Sequence, residues 1–199
     1  MLTRTVLATS AAALLVSATG AATGVAAAAS TDIRPTHPAA APAAALKPCA
    51  EKALTLKAAA SGQDHVLRLS VKNHSSRACL VDRVPLVTYG DLDGAAVPFP
   101  LSGSSTYKLD AGKTAHAVVR SLSASGDSDS ASGDSDVRSV GYVVVATNPE
   151  HDGKKFTAAS LSEPGGLRVW MPVTTLWQTT PARADEALAE SDGAGILQV

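Results

Sequence analysis

The chain has 199 residues, two cysteines and a formal net charge of −1, and 45% of it is hydrophobic. Setting aside its two ends leaves about 135 residues, the size of one ordinary domain. So nearly neutral a chain has no basic face to grip phosphates, which excludes nucleic acid as an expected partner.

The N-terminus carries one cation, Arg4, followed by the Ala/Leu/Val run VLATSAAALLVSATGAATGVAAAA. Small residues, Ala27-Ala28-Ala29, precede Ser30, and the layout predicts a secretory signal peptide over residues 1–29. A membrane anchor is the competing reading of so long a run. Beyond Leu15 and Val16, however, the run is Ala, Gly, Thr and Ser, too weakly apolar to favour lipid. No cysteine directly follows it to accept a lipid. Export without stable membrane insertion is the expectation, and cleavage would change the net charge to −2 by removing Arg4.

Residues 30–47, beginning STDIRPTHPAAAPAAALK, alternate Pro and Ala with few large apolar groups. Such a segment cannot bury enough surface to fold and predicts a disordered linker. Residues 48–180 then predict a β-sandwich domain. Cys49 and Cys79, two thiols in an exported chain, most simply form one disulfide.

Period-two alternation runs through this domain. Leu54 and Leu56 share a face, as do Leu67, Leu69 and Val71, with Val66, Arg68, Ser70 and Lys72 opposite. In GKTAHAVVR the inward set is Ala115, Ala117 and Val119, with Thr114, His116 and Arg120 outward. SVGYVVVAT is apolar on both faces, as in a central strand. ACLVDRVPLVTYG and GLRVWMPVTTLW also read as strands, with Pro85 and Pro172 marking edges or bulges because proline cannot donate to a ladder. Turn chemistry separates them at Asn73–Ser76, Asp93-Gly94, Gly103, Asp110-Ala111-Gly112, Asn148-Pro149 and Pro164-Gly165-Gly166. The pattern predicts an all-β, immunoglobulin-like sandwich of about seven or eight strands. The tail, residues 181–199, contains PARADEALAES and reads as partly helical.

The order of these segments resembles a known family. Its marks are Cys49 before Leu54-x-Leu56, Leu69-x-Val71-x-Asn73, Cys79-Leu80 before Val84-Pro85-Leu86-Val87, Leu109-Asp110-Ala111-Gly112, and Gly166-Leu167-Arg168-Val169-Trp170-x-Pro172. Together they are similar to a domain-of-unknown-function family of secreted proteins from high-GC Gram-positive bacteria. The resemblance spans about Lys47 to Trp177. It implies a signal or lipid anchor, a Pro/Ala linker and one immunoglobulin-like domain, and brings no activity with it. Relatives often have proline where this chain has Ala111, and a second cysteine pair that is absent here.

Residues 123–136 are the heptad SASGDSD written twice. Asp127, Asp129, Asp134 and Asp136 could gather oxygens around Ca²⁺, but the loop lacks the sixth-position Gly and terminal Glu of an EF-hand. Doubling a flexible loop costs only about 0.6 kcal/mol of closure entropy, so filler is the simpler reading. Asp91-Leu92-Asp93-Gly94 reads as a tight turn for similar reasons.

Histidines 37, 65, 74, 116 and 151 fall singly, and the nearest glycine–serine cluster, Ser102 to Tyr107, lacks the second glycine of a nucleophile elbow. Asn73-His74-Ser75 is a glycosylation sequon that reads more simply as a turn. Trp170 and Trp177 read as core or as cover for the tail, against the alternative of exposed contact aromatics.

These readings combine into a secreted, monomeric, non-catalytic binding or structural module of the envelope or extracellular space. It is expected to carry no cofactor and no metal, and to meet its unidentified protein or envelope partner through loops 91–104 and 121–136. The competing readings are a secreted hydrolase with a spatially assembled site and a weak carrier of Ca²⁺ or a small ligand.

Overall fold

The computed structural model describes residues 45–101, 105–122 and 136–193. The expected signal peptide, most of the linker, residues 102–104, the doubled heptad up to residue 135 and the tail from 194 lie outside the described residues.

Among the described residues twelve strands follow in order: β1 (Leu54–Ala60), β2 (Val66–Asn73), β3 (Cys79–Asp82), β4 (Leu86–Tyr89), β5 (Val97–Phe99) and β6 (Thr106–Leu109), then β7 (Thr114–Arg120), β8 (Arg138–Val140), β9 (Tyr142–Ala146), β10 (Lys154–Thr157), β11 (Leu167–Val169) and β12 (Val173–Thr175). One α-helix, α1 (Pro181–Gly193), closes the described chain. The main sheet runs β1-β2-β7-β12-β5 and a second sheet runs β10-β9-β4, while β11-β8 and β3-β6 form two-stranded ribbons that also send side chains into the core.

The all-β expectation is met, and its periodicity does the building. Leu56, Leu67, Leu69, Val71, Ala115, Ala117 and Val119 from the main sheet share one core with Val87, Tyr89, Val143 and Val145 from the other. Fully burying each such large side chain stabilises the fold by roughly 1.5–3 kcal/mol. The core also contains the disulfide, Cys49–Cys79, with Cα atoms 4.9 Å apart.

The strand count exceeds the predicted seven or eight because three runs that read as single strands each change sheets midway. ACLVDRVPLVTYG divides at Arg83–Pro85 into β3, paired with β6, and β4, paired with β9. GLRVWMPVTTLW divides at Pro172 into β11, paired with β8, and β12, paired with β7 and β5. SVGYVVVAT divides at Gly141. The prolines withhold the ladder N–H at the first two breaks. Strands β5, β6 and β10 have only three or four residues each, too few to show a period.

The outward face of the main sheet is not left to solvent. Helix α1 opens with Pro181 at its first turn and lays Ala184 and Leu188 on Val66 and Val118 as a second apolar cluster. Arg68 grips Asp185 with both arms, Nε to Oδ1 at 3.1 Å and Nη2 to Oδ2 at 2.9 Å. Arg120 reaches Asp192 and Ser191 at the other end. Exposed pairs of this kind contribute only about 0.2–1 kcal/mol, so the two buried apolar residues do most of the seating.

Asn73 is one of several buried polar residues, with no exposed surface. Its Nδ2 donates to the carbonyls of Arg77 (2.9 Å), Leu109 (3.1 Å) and Asp110 (3.4 Å), while Oδ1 accepts from the Ser75 amide and hydroxyl. The sequon asparagine thus ties turn 73–77 to turn 109–112, and its committed nitrogen has no room for a glycan in the folded domain. Asn73→Ala takes this donor from the buried Leu109 carbonyl and from the part-buried carbonyls of Arg77 and Asp110, and is expected to cost about 2–4 kcal/mol. Chemical denaturation checks this, and an unchanged midpoint would contradict the tie.

Candidate functional site

The loops expected to carry contact converge. Leu92 to Ala95, following β4, and Asp136 with Arg138 at the start of β8 line one cleft of about 260 Å³. Buried Tyr89 and Val169 form its inner wall, and Trp170, Met171 and Pro172 close the opposite side.

Each wall is fixed by backbone bonds. Leu92 N–H donates to Tyr89 O at 2.9 Å and Ala96 N–H to Val87 O at 2.8 Å, which pins both ends of the 90–96 loop. Gly90 has φ +53°, and a Cβ there would lie 2.9 Å from that of Val140, so glycine alone permits this turn over β8. The Tyr142 hydroxyl donates to Asp91 at 2.9 Å, and Gly94 has φ +90°, so Asp91–Gly94 is the turn its sequence suggested. On the opposite wall, Trp170 N–H donates to Ser121 O and Val97 N–H to Pro172 O, both at 2.8 Å.

Met171 is the irregular element. Its φ of +44° lies in the left-handed region, where a bulky side chain costs on the order of 1–3 kcal/mol. This twist breaks the alternation read from the sequence. Leu167 and Val169 are buried, but Met171, in phase with them, turns out to solvent at 36% exposure while Trp170 stays half-buried. Val97 (39%) and Leu101 (70%) are also exposed. Val97 is held beside Met171's neighbour by its bond to Pro172.

The Tyr89 hydroxyl, in the cleft wall, has no hydrogen-bond partner among the described residues. Burial pushes its pKa well above the ordinary phenol range, so it remains a neutral donor. The charged residues of the cleft lining are Asp93, Asp136 and Arg138.

The other candidate residues do not assemble. Thr147 Oγ1 and His151 Nδ1 lie 2.9 Å apart, which has the look of a nucleophile and its base, but Thr147 is 1% exposed and the contact closes the 147–151 turn. His116 is half-buried on the outward face, where desolvation lowers its pKa, and its backbone pairs with Gln178. His65 and His74 lie in turns, and His37 is outside the described residues. Among the described residues no group of three or more His, Cys, Asp or Glu side chains is placed to hold a metal ion. Of the two tryptophans, Trp177 is core at 1% exposure, as one reading held.

Sequence reasoning missed Tyr89, Met171 and Arg138. Proline at 172 was the one local signal that the strand must break there.

An immunoglobulin-like β-sandwich with one disulfide, bearing an open cleft at its loops, is the class of protein these features define. The profile of a family described as Domain of unknown function (DUF4232) matches residues 49–181, and the chain belongs to this family. The match ends where α1 begins. No curated protein and no solved structure matches the chain. Among the described residues no helix is long and apolar enough to cross a membrane.

Proposed function

We propose that the protein is an exported, monomeric, non-catalytic binding module of the cell envelope or extracellular space, and that the cleft between Leu92 and Trp170 makes its contact. The N-terminal pattern of residues 1–29 and the disulfide support export into an oxidising compartment. The observation that carries the binding role is Met171. A regular strand would have turned this side chain inward, and instead the chain holds it at φ +44° beside a half-buried tryptophan at the mouth of a cleft. Strain of this kind persists at sites where it serves recognition.

Met171→Gly tests the reading because it separates stability from binding. Glycine adopts this φ freely, and the strain relieved offsets the lost packing of a partly buried side chain and glycine's greater freedom when unfolded, so stability should stay within about 1 kcal/mol of the parent. Capture of fractionated envelope material by the variant should nonetheless fall about tenfold, the loss of one good apolar contact. A variant that binds as well as the parent would remove the cleft from the account.

A further inference from the structure

Resting on that reading, we infer that the cleft receives one large apolar side chain from an extended segment of a partner protein, flanked in that segment by basic residues. Four observations lead there. A cleft of about 260 Å³ is below the range of roughly 300–1,000 Å³ typical of small-molecule and cofactor sites, and suits a single anchoring side chain. Its lining near the mouth, Trp170, Met171 and Pro172, is the aromatic and thioether surface on which protein anchors settle.

Beside the cleft, Val97, whose N–H bonds Pro172 O, is an exposed apolar side chain, and Leu101 four residues on is another. A lone saccharide ring or other small ligand would leave those side chains uncovered, whereas a segment of several residues would cover them. The rim is acidic in balance, with Asp93 and Asp136 against Arg138, and Asp91 lies on the same loop. Cations on either side of the anchor complement that rim and can also lie over the Trp170 ring.

The neighbouring sheet edge narrows how such a segment is held. Strand β5 is the last in its sheet, and Pro98 and Pro100 deprive it of amide donors. Addition of the partner as a further strand is therefore disfavoured at this edge. Side-chain insertion is the mode left.

The test uses the exported, oxidised chain and three capped peptides: Gly-Arg-Phe-Arg-Gly, Gly-Glu-Phe-Glu-Gly and Gly-Arg-Gly-Arg-Gly. N-acetylglucosamine disaccharide is the fourth probe. Shifts of the Trp170 indole N–H and the Met171 methyl are followed by NMR up to about 5 mM, where a site with Kd of about 1 mM is mostly filled. The Arg-Phe-Arg peptide is expected to saturate both signals, about tenfold more tightly than either other peptide. Asp93→Asn with Asp136→Asn should erase its advantage over the acidic peptide. Equal or tighter binding of the acidic peptide, or no saturation by the Arg-Phe-Arg peptide, would overturn the inference. Saturation of the same signals by the disaccharide alone would overturn it too, while leaving the cleft as the contact site. If neither these probes nor envelope fractions move Trp170 and Met171, the binding reading falls with it.

Discussion

Exchanging both Cys49 and Cys79 for serine is expected to lower the unfolding free energy by about 3.5 kcal/mol, the chain-entropy value for a loop of this length. The bridge spans a sequence separation of 30 and encloses the whole β1–β2 hairpin and the Asn73 turn. Both sulfurs lie in the core, at residues only 2% and 9% exposed, so the serine hydroxyls add a further cost of burial without partners. Against a typical total of about 5–15 kcal/mol, this is a large share for a domain of this size. The loss should be uneven. Cys49 N–H to Leu80 O (2.8 Å) and Leu80 N–H to Lys47 O (2.9 Å) still clip residues 47–49 onto β3, but two backbone bonds do not hold a chain end alone. Hydrogen exchange in the variant should therefore quicken first at residues 47–54 and later in β2 and β7. Urea denaturation of the parent with and without reductant gives the same comparison without mutation. An unchanged midpoint under reductant would mean that oxidation, and with it an oxidising compartment, is not needed for folding.

The core was legible from Leu67, Leu69, Val71, Ala115, Ala117 and Val119 because one face of a half-buried sheet imposes a period of two on the sequence. The same logic misjudged Val66, which looked outward and is buried, together with Val118, because α1 lies over them. A helix with so sparse an apolar stripe, Ala184 and Leu188, gives little sign of where it docks. The cleft was legible in part. Its loops were expected to carry contact, but Tyr89, the pair Asp136 and Arg138, and Met171 come from three separate places in the chain. Only the change of sheets at residues 170–172 and the turn at Gly90 bring them together. The left-handed φ at Met171 is tertiary in origin, fixed by the bonds of Trp170 to Ser121 and of Pro172 to Val97. Nothing in the residues Trp-Met-Pro announces it beyond the proline.

Trp177 carries the other large effect. Trp177→Ala is expected to cost about 3–5 kcal/mol, as for other buried aromatics truncated in a packed core. The side chain is 1% exposed and heads the largest fully buried groups of the domain. Its indole Nε1–H, however, is buried without a partner among the described residues, so the ring is there for its volume and not for a hydrogen bond. Trp177→Phe keeps most of that volume and removes an unmatched donor, so it should cost only about 1–2 kcal/mol. A phenylalanine variant as damaged as the alanine one would mean that the nitrogen has a partner after all. The position also sets where the chain leaves the sandwich. Trp177 N–H bonds Arg83 O at 3.0 Å and Gln178 exchanges bonds with His116, so the chain is fixed two residues before Thr180 and the start of α1. Emptying the Trp177 site frees that exit. In Trp177→Ala, then, α1 should lose hydrogen-exchange protection before the β2–β7 ladder does, whereas Leu188→Ala should loosen α1 and leave the ladder intact. If both variants opened helix and ladder together, the helix would be part of one cooperative unit with the sandwich instead of a cover hinged at Trp177.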